Sequence, residues 1–324
     1  MTYLVRVDFN VESAKDALRL EASLPTIEQL LRKGGAKVVI LSHRGRPDGK
    51  NNSKLSLKEF LPFLRHHLRQ KVVFLKKIPE KLPAGRIFLL ENLRFWPGEE
   101  KNDLQFAKKL ARLGDRYIND AFAVSHRKNA SITQLPTLLP SSMGLLLKKE
   151  IGVLSKVMKK PKRPLVLIFG GSKIEDKLPV IKYLLPKTNK VLLGSSILNN
   201  SKIPKSSKLV RPIDWVGEKK WAYDVGPLTI IEYKEVIRRA KTVIWNGPIG
   251  NFENPKYAAG SIALAHIIAA SKAFSVAGGG ETTQLIKHLG LEKKIDFLST
   301  GGGAMLEMLA GKKLPGVEIL KKHV

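Results

Sequence analysis

Short apolar runs recur along this chain, each followed by a loop and then by an amphipathic stretch, and that alternation leaves little choice of architecture. Residues 5–7, 37–41, 72–75, 87–90 and 116–118 form one series, and residues 165–169, 190–193, 242–245, 274–277 and 295–298 form a second. Most are apolar at consecutive positions, so neither face can be left to water, and such strands belong in a sheet covered by helices on both sides. Strands alternating with helices build βαβ units and mostly parallel sheets. Between the first two runs, Leu24, Ile27, Leu30 and Leu31 follow helical spacing, and Gly34 can supply the left-handed residue that ends a helix. Pro136 and Pro140 interrupt regular structure, and residues 143–158 then read as one amphipathic helix. With 324 residues and ~150 per domain, two domains are expected: residues 1–142 and 143–311, with a tail over 312–324 packing back on the first.

Composition removes several functional classes. Without cysteine there is no disulfide, thiolate nucleophile or zinc finger. The longest apolar run, residues 262–270, is too short for a membrane span and contains His266. Arg6 and Asp8 stand where a signal peptide needs an apolar stretch, so a cytoplasmic protein is expected. The 57 Lys and Arg against 28 Asp and Glu leave +29, a surplus that concentrates anions; nucleic acid, a membrane surface and phosphorylated metabolites all fit it.

Chemistry-bearing residues follow the strands. Asp8-Phe9-Asn10, Ser42 to Pro47, Glu91 to Arg94 and Asn119 to Arg127 come directly after runs of the first series, and ligands of open parallel sheets bind at the carboxyl ends of strands. His43, Arg46, Arg94 and Arg127 would then line one mouth, where guanidinium forks suit phosphate and carboxylate oxygens. His66 and His67 lie on an amphipathic run and read as a solvated helix face. The second series ends repeatedly in glycine: Gly170-Gly171, Gly247, Gly278-Gly279-Gly280 and Gly301 to Gly303. Glycine lets backbone N–H groups approach an anion, and a following helix adds its positive end, so a nucleotide site is expected. Neither the Walker A spacing nor the dinucleotide G-x-G-x-x-G is present. Lys173 and Lys177, four apart, are expected to share a helix face above the glycines.

These segments together, from Val5-Arg-Val-Asp-Phe-Asn10, Ser42-His-Arg-Gly-Arg-Pro47 and Leu89-Leu-Glu-Asn-Leu-Arg-Phe95 through Gly170-Gly-Ser-Lys-Ile-Glu-Asp-Lys177, Trp245-Asn-Gly-Pro248, Gly278-Gly-Gly-Glu-Thr282 and Ser299-Thr-Gly-Gly-Gly-Ala304, resemble the motif set of the phosphoglycerate kinase family, in the same order along nearly the whole chain. The resemblance implies two Rossmann-like three-layer α/β domains with mostly parallel sheets, facing each other across a hinge cleft. It implies reversible in-line phosphoryl transfer from 1,3-bisphosphoglycerate to ADP, giving 3-phosphoglycerate and ATP with Mg²⁺, in glycolysis and gluconeogenesis. By the same resemblance Asp8, Phe9, Asn10, Arg19, His43, Arg44, Gly45, Arg46, Arg94 and Arg127 hold the acid. Gly171, Ser172, Lys173, Lys177, Asn246, Pro248, Gly279, Gly280, Glu281 and Thr282 hold the nucleotide, and Glu253 its ribose. Arg19 and Lys173 are the implied catalytic pair, and Glu281 stands at the metal position, where the family pattern has Asp. A monomer without specific nucleic-acid or membrane partners is expected. Departures from the pattern are Glu12 for Pro, Arg44 for Leu, Trp96 and Asn129 for His, and a compression between residues 198 and 214.

Overall fold

The computed structural model describes residues 1–13, 18–171, 176–197, 202–218 and 221–321. The chain divides into two compact units, Met1–Ile151 with the C-terminal residues from Lys313, and Gly152–Lys312. The division falls inside the helix Leu145–Lys159.

The first unit carries β1 (Thr2–Arg6), β2 (Lys37–Leu41), β3 (Val72–Leu75), β4 (Ile87–Leu90), β5 (Arg116–Asn119) and β6 (Ser141–Met143) in one parallel sheet, ordered β3-β4-β2-β1-β5-β6. Val38, Val39, Ile40 and Leu41 are all fully buried, as a strand covered on both faces must be. One core joins the sheet to the helix Leu18–Leu31 through Leu20, Leu24, Ile27 and Leu30, and to the helix Leu61–Leu68 through Leu61 and Leu64. Met143 belongs to edge strand β6, so the helix read as starting there starts at Leu145 instead. The C-terminal helix Pro315–Lys321 packs on this unit: Gly316 N–H donates to the Ser125 carbonyl at 2.8 Å, and Asn119 Nδ2 to the Gly316 carbonyl at 3.2 Å.

The second unit carries β7 (Leu165–Phe169), β8 (Lys190–Leu193), β9 (Leu209–Val210), an antiparallel pair of β10 (Trp215–Glu218) and β11 (Trp221–Val225), then β12 (Thr242–Asn246), β13 (Phe274–Gly278) and β14 (Phe297–Ser299). Its parallel sheet is ordered β14-β13-β12-β7-β8-β9. Trp245, Tyr233, Ile168 and Leu264 anchor its core. The last strand begins at Phe297 rather than at Ile295. The short edge strand β9 and the β10–β11 pair occupy the compressed stretch and its flank, where no regular element was expected.

Candidate functional site

Parallel register fixes the first site. Arg6 lies opposite Leu41 and Asn119, so the loops leaving β1, β2 and β5 emerge at one edge of the sheet, and the loop after β4 joins them. Polar side chains then bind loop to loop. Ser42 Oγ accepts from Phe9 N–H at 2.8 Å and donates to the Val7 carbonyl at 2.9 Å, while Asn10 Oδ1 accepts from Gly45 N–H at 2.8 Å. Asn92 Oδ1 accepts from Arg44 N–H and Arg94 N–H, and its Nδ2 donates to the Arg44 carbonyl at 2.7 Å. Phe9 is buried with its ring edge-on to Phe60, so what it brings to the mouth is backbone.

Charge gathers around His43. Its Nδ1 sits 3.6 Å from Asp8 Oδ1 and 3.2 Å from Arg6 Nη2, and Asp8 Oδ2 pairs with Arg19 Nη1 at 3.2 Å. Arg19 also donates to the Asn10 carbonyl at 2.9 Å. Burial, then the guanidiniums of Arg6, Arg94, Arg19 and Arg127, hold His43 well below its usual value, so the ring is neutral at pH 7. Arg94 is buried, donating to the Gly45 carbonyl at 2.6 Å and pairing with Glu100 at 3.1 Å. Arg46 is exposed and Arg127 half-buried. Arg44 is turned to its own chain: it donates to the carbonyls of Val11 and Glu12, pairs with Glu59 at 2.6 Å and lies over the Phe60 ring.

Sequence reasoning missed Arg6. Only 2% exposed, it donates from Nε to Ser131 Oγ at 2.8 Å and from Nη1 to the Val7 carbonyl, and its Nη2 lies 3.8 Å from Glu99. Glu99 in turn accepts from Ser131 N–H at 2.9 Å and its hydroxyl at 2.6 Å. An arginine inside an otherwise apolar strand was the available signal, because a charge buried on a covered sheet must be paired.

The second site is made of main chain. Gly171 N–H donates to the Pro248 carbonyl at 2.7 Å, Ser195 N–H to the Ile249 carbonyl at 2.8 Å, and Gly247 N–H to Thr282 Oγ1 at 2.8 Å. Asn246 Nδ2 donates to the Gly278 carbonyl at 2.8 Å, which ties the ends of β12 and β13. Several glycines serve this packing: a Cβ on Gly170 would stand 1.9 Å from the Pro248 carbonyl oxygen, and one on Gly247 2.3 Å from that of Gly170. Gly280 differs, with open space where a Cβ would go, and it begins the helix Gly280–His288 whose N-cap position is Gly279. Lys177 Nζ and Glu281 Oε2 converge near Gly171, at 3.3 and 3.5 Å from the point a Cβ there would take. Lys177 occupies the N-cap position of the helix Leu178–Leu184 and does not lie within it; Ser172 and Lys173 lie outside the described residues.

A cavity of about 300 Å³ opens beside these glycines, lined by Gly171, Pro248, Glu253 and Glu281 and also by Ser195, Ser196, Asn251, Phe252 and Tyr223, which sequence reasoning did not select. Among the described residues, no group of three His, Asp or Glu is placed to hold a metal ion. The exposed carboxylate of Glu281, beside open backbone, suits Mg²⁺, which takes one or two carboxylates together with phosphate oxygens. None of the described helices is long and apolar enough to cross a membrane.

Comparison with known proteins identifies the family. A family model described as phosphoglycerate kinase matches residues 1–205 and 195–312. A phosphoglycerate kinase of Leptospira biflexa is 39% identical over 374 aligned residues, covering 98% of this chain and 94% of the relative. One from Pseudothermotoga lettingae is 38% identical, covering 97% and 94%. The aligned length exceeds the 324 residues of this chain, as internal shortening requires. Among solved structures, phosphoglycerate kinase from Pyrococcus horikoshii superposes with a TM-score of 0.87 at 30% identity, and that from Coxiella burnetii with 0.84 at 31%; each match covers 99% of this chain and 96% of the other.

Proposed function

The chain belongs to the phosphoglycerate kinase family, and from that premise we propose how its two sites divide the reaction. The activity is a phosphotransfer between 1,3-bisphosphoglycerate and ADP, a glycolytic step yielding 3-phosphoglycerate and ATP. The observation that carries the division is the set of guanidiniums around a neutral His43 on one parallel sheet, against a glycine-walled cavity on the other.

Arg46, Arg94 and Arg127 bind the phosphate and carboxylate of the acid, with Asp8, Asn10 and the backbone of Phe9 and Gly45 setting the loop that receives it. His43, uncharged, offers a hydrogen bond without adding to the repulsion among the arginines. Arg44 acts through the carbonyls it holds. The acid's carboxylate is ionised at neutral pH, so the attacking oxygen needs no general base. Catalysis is then positioning and charge stabilisation: Arg19 and Lys173 are assigned to the transferring phosphoryl group, the N–H groups of Gly279 and Gly280 to phosphate oxygens, and Gly171 and Ser172 to the same nucleotide. Lys177 adds a second ammonium, Asn246, Pro248 and Thr282 hold the loops in register, and Glu253 binds the ribose. Mg²⁺ bound with the nucleotide at Glu281 would neutralise phosphate charge. In-line transfer requires both ligands to meet, so the proposal includes a hinge closure that also excludes water.

The chain is read as a cytoplasmic monomer without a specific nucleic-acid partner. Residues 152–312 hold 26 basic against 12 acidic side chains and the rest of the chain 31 against 16, so the surplus is +14 and +15. The excess is shared by both units, and we read it as a general surface property. The test is a coupled assay with 3-phosphoglycerate, ATP and Mg²⁺: saturable, metal-dependent turnover is expected, and its absence overturns the reading.

A further inference from the structure

Another cavity, of about 510 Å³, opens in the first unit. Lys77 and Ile78, just after β3, Trp96 and Pro97, in the loop after β4, and Phe106 and Lys109, on the helix Leu104–Ala111, line it. None of these residues belongs to the acid or the nucleotide site. Its apolar wall is aromatic and held in place. Phe106 is buried, and the half-buried Trp96 ring lies against it with centroids 6.0 Å apart and planes at 32°. Trp96 N–H donates to the Leu93 carbonyl at 3.1 Å and the Trp96 carbonyl accepts from Glu99 N–H at 3.0 Å, so the backbone that carries the ring is tied on both sides. The polar rim consists of donors. Among the described residues, neither the Trp96 indole N–H nor the ammonium of Lys77 or Lys109 has a hydrogen-bond or ion-pair partner. Asp103, the carboxylate of the lining, is engaged as a helix cap, its Oδ1 accepting from Phe106 N–H at 2.6 Å.

A fixed aromatic wall edged by two ammoniums and an indole N–H matches a flat apolar body that ends in negative charge. Rings pack offset or edge-on against such a wall, and a carboxylate takes charge-assisted hydrogen bonds from its rim. An inorganic anion would leave the aromatic wall in water, and a neutral aromatic would leave the ammoniums unanswered. We infer that this cavity is a binding site for a small aromatic carboxylate, with its ring against Trp96 and its carboxylate on the ammoniums of Lys77 and Lys109. The wall is a feature of this chain, since Trp96 stands where the family pattern has His. The site is independent of how the other two sites divide the phosphotransfer.

The test titrates indole-3-acetate into the whole protein and follows the tryptophan indole N–H signals by nitrogen–proton correlation spectroscopy. The chain has four tryptophans, and Trp96→Phe identifies the Trp96 signal by its loss. That signal is expected to move saturably with a Kd of about 1 mM or tighter, the range open to a ligand of this size, and to do so equally with ADP and 3-phosphoglycerate present. Lys77 and Lys109 are exposed, so replacing both leaves the fold intact. The double variant Lys77→Gln, Lys109→Gln is expected to weaken the probe by about tenfold or more, and neutral indole-3-acetamide to bind wild type as weakly as the acetate binds that variant. Trp96→His, followed by saturation transfer to the probe, is expected to weaken it by about tenfold as well. A Trp96 signal unmoved up to about 10 mM probe overturns the inference. So does unchanged affinity in the lysine double variant, or indole-3-acetamide binding as tightly as the acetate. Displacement of the probe by ADP or 3-phosphoglycerate puts it in one of the other two sites and overturns the inference too.

Discussion

In the first unit the charge proposed to receive an anion sits on guanidiniums, buried in Arg6 and Arg94 and half-buried in Arg19, each held by oxygen atoms of neighbouring segments: Arg6 by Ser131 and Glu99, Arg94 by Gly45 and Glu100, Arg19 by Asp8 and Asn10. In the second unit the main chain does this work, and glycines let strand ends lie against one another, with Gly170 against Pro248 and Gly247 against Gly170. A side-chain site loses one contact at a time when mutated, because its neighbours keep their own partners. A main-chain site has no such reserve: adding one carbon moves the loops themselves.

Gly170→Ala tests that contrast hardest. Its Cβ would meet the Pro248 oxygen at 1.9 Å, and a carbonyl cannot swing aside as the end of a flexible side chain can. Stability of the second unit should fall by ~3 kcal/mol or more and ADP binding should be lost, while 3-phosphoglycerate still binds. Calorimetry with each ligand decides this, and retained ADP affinity breaks the comparison. Next in size, Arg19→Ala should cut kcat by ~10²–10³ with KM for the acid little changed, because a charge that acts on the transition state is lost from turnover and not from ground-state binding. Steady-state kinetics showing a pure KM effect would move Arg19 into the ground-state binding group.

Alanine at Arg46 or at Arg127 should weaken 3-phosphoglycerate about ten- to a hundredfold, from ~1.5–3 kcal/mol per charge-assisted contact, and leave ADP binding as it was. Two unchanged affinities would remove these arginines from the acid site. Glu281→Gln should raise the Mg²⁺ concentration needed for half-maximal ADP binding by about tenfold, and Glu281→Asp, which keeps the carboxylate, by less. Equal metal dependence in all three proteins would leave Glu281 as a helix-end charge only.

The smallest effect is on pH dependence. Burial pushes Asp120 in the first unit and Asp224 in the second up to about 6. A raised carboxyl contributes most to stability at low pH, and its contribution is lost as pH rises through that value. His43 is depressed, so its contribution is present above about 6.5 and is lost as pH falls. The second unit should therefore lose stability from pH 5 to 7, while the first stays flatter because His43 opposes Asp120. Hydrogen exchange followed in each unit checks this, and His43→Gln should restore the slope in the first unit.

Much of the framework was legible because a strand covered on both faces must be apolar at every position, a pattern that survives in one dimension. Runs 37–41, 72–75, 87–90, 165–169 and 190–193 match β2, β3, β4, β7 and β8 residue for residue. Edge strand β6, with Ser141 and Ser142, lacks that pattern, and its last residue, Met143, was read as the start of the following helix. The β10–β11 pair was missed because its register shifts between Val216 and Gly217, which breaks the two-residue alternation that marks a strand. Arg6 was not selected because its partners Glu99 and Ser131 come from segments far along the chain.

By itself the sequence determined the class of the molecule: two parallel α/β sheets, guanidiniums after the strands of one, glycines after the strands of the other, and hence anionic ligands. Burial forces local patterns, and local patterns can be read along a chain. Only the tertiary structure decided that His43 is neutral, that Gly170 packs against carbonyl while Gly280 stands open, that Arg44 serves its own loops, and that Lys77, Trp96 and Lys109 line one cavity. Each of those depends on desolvation, charge or contact between groups far apart in sequence, and such terms exist only once folding has brought them within a few ångströms.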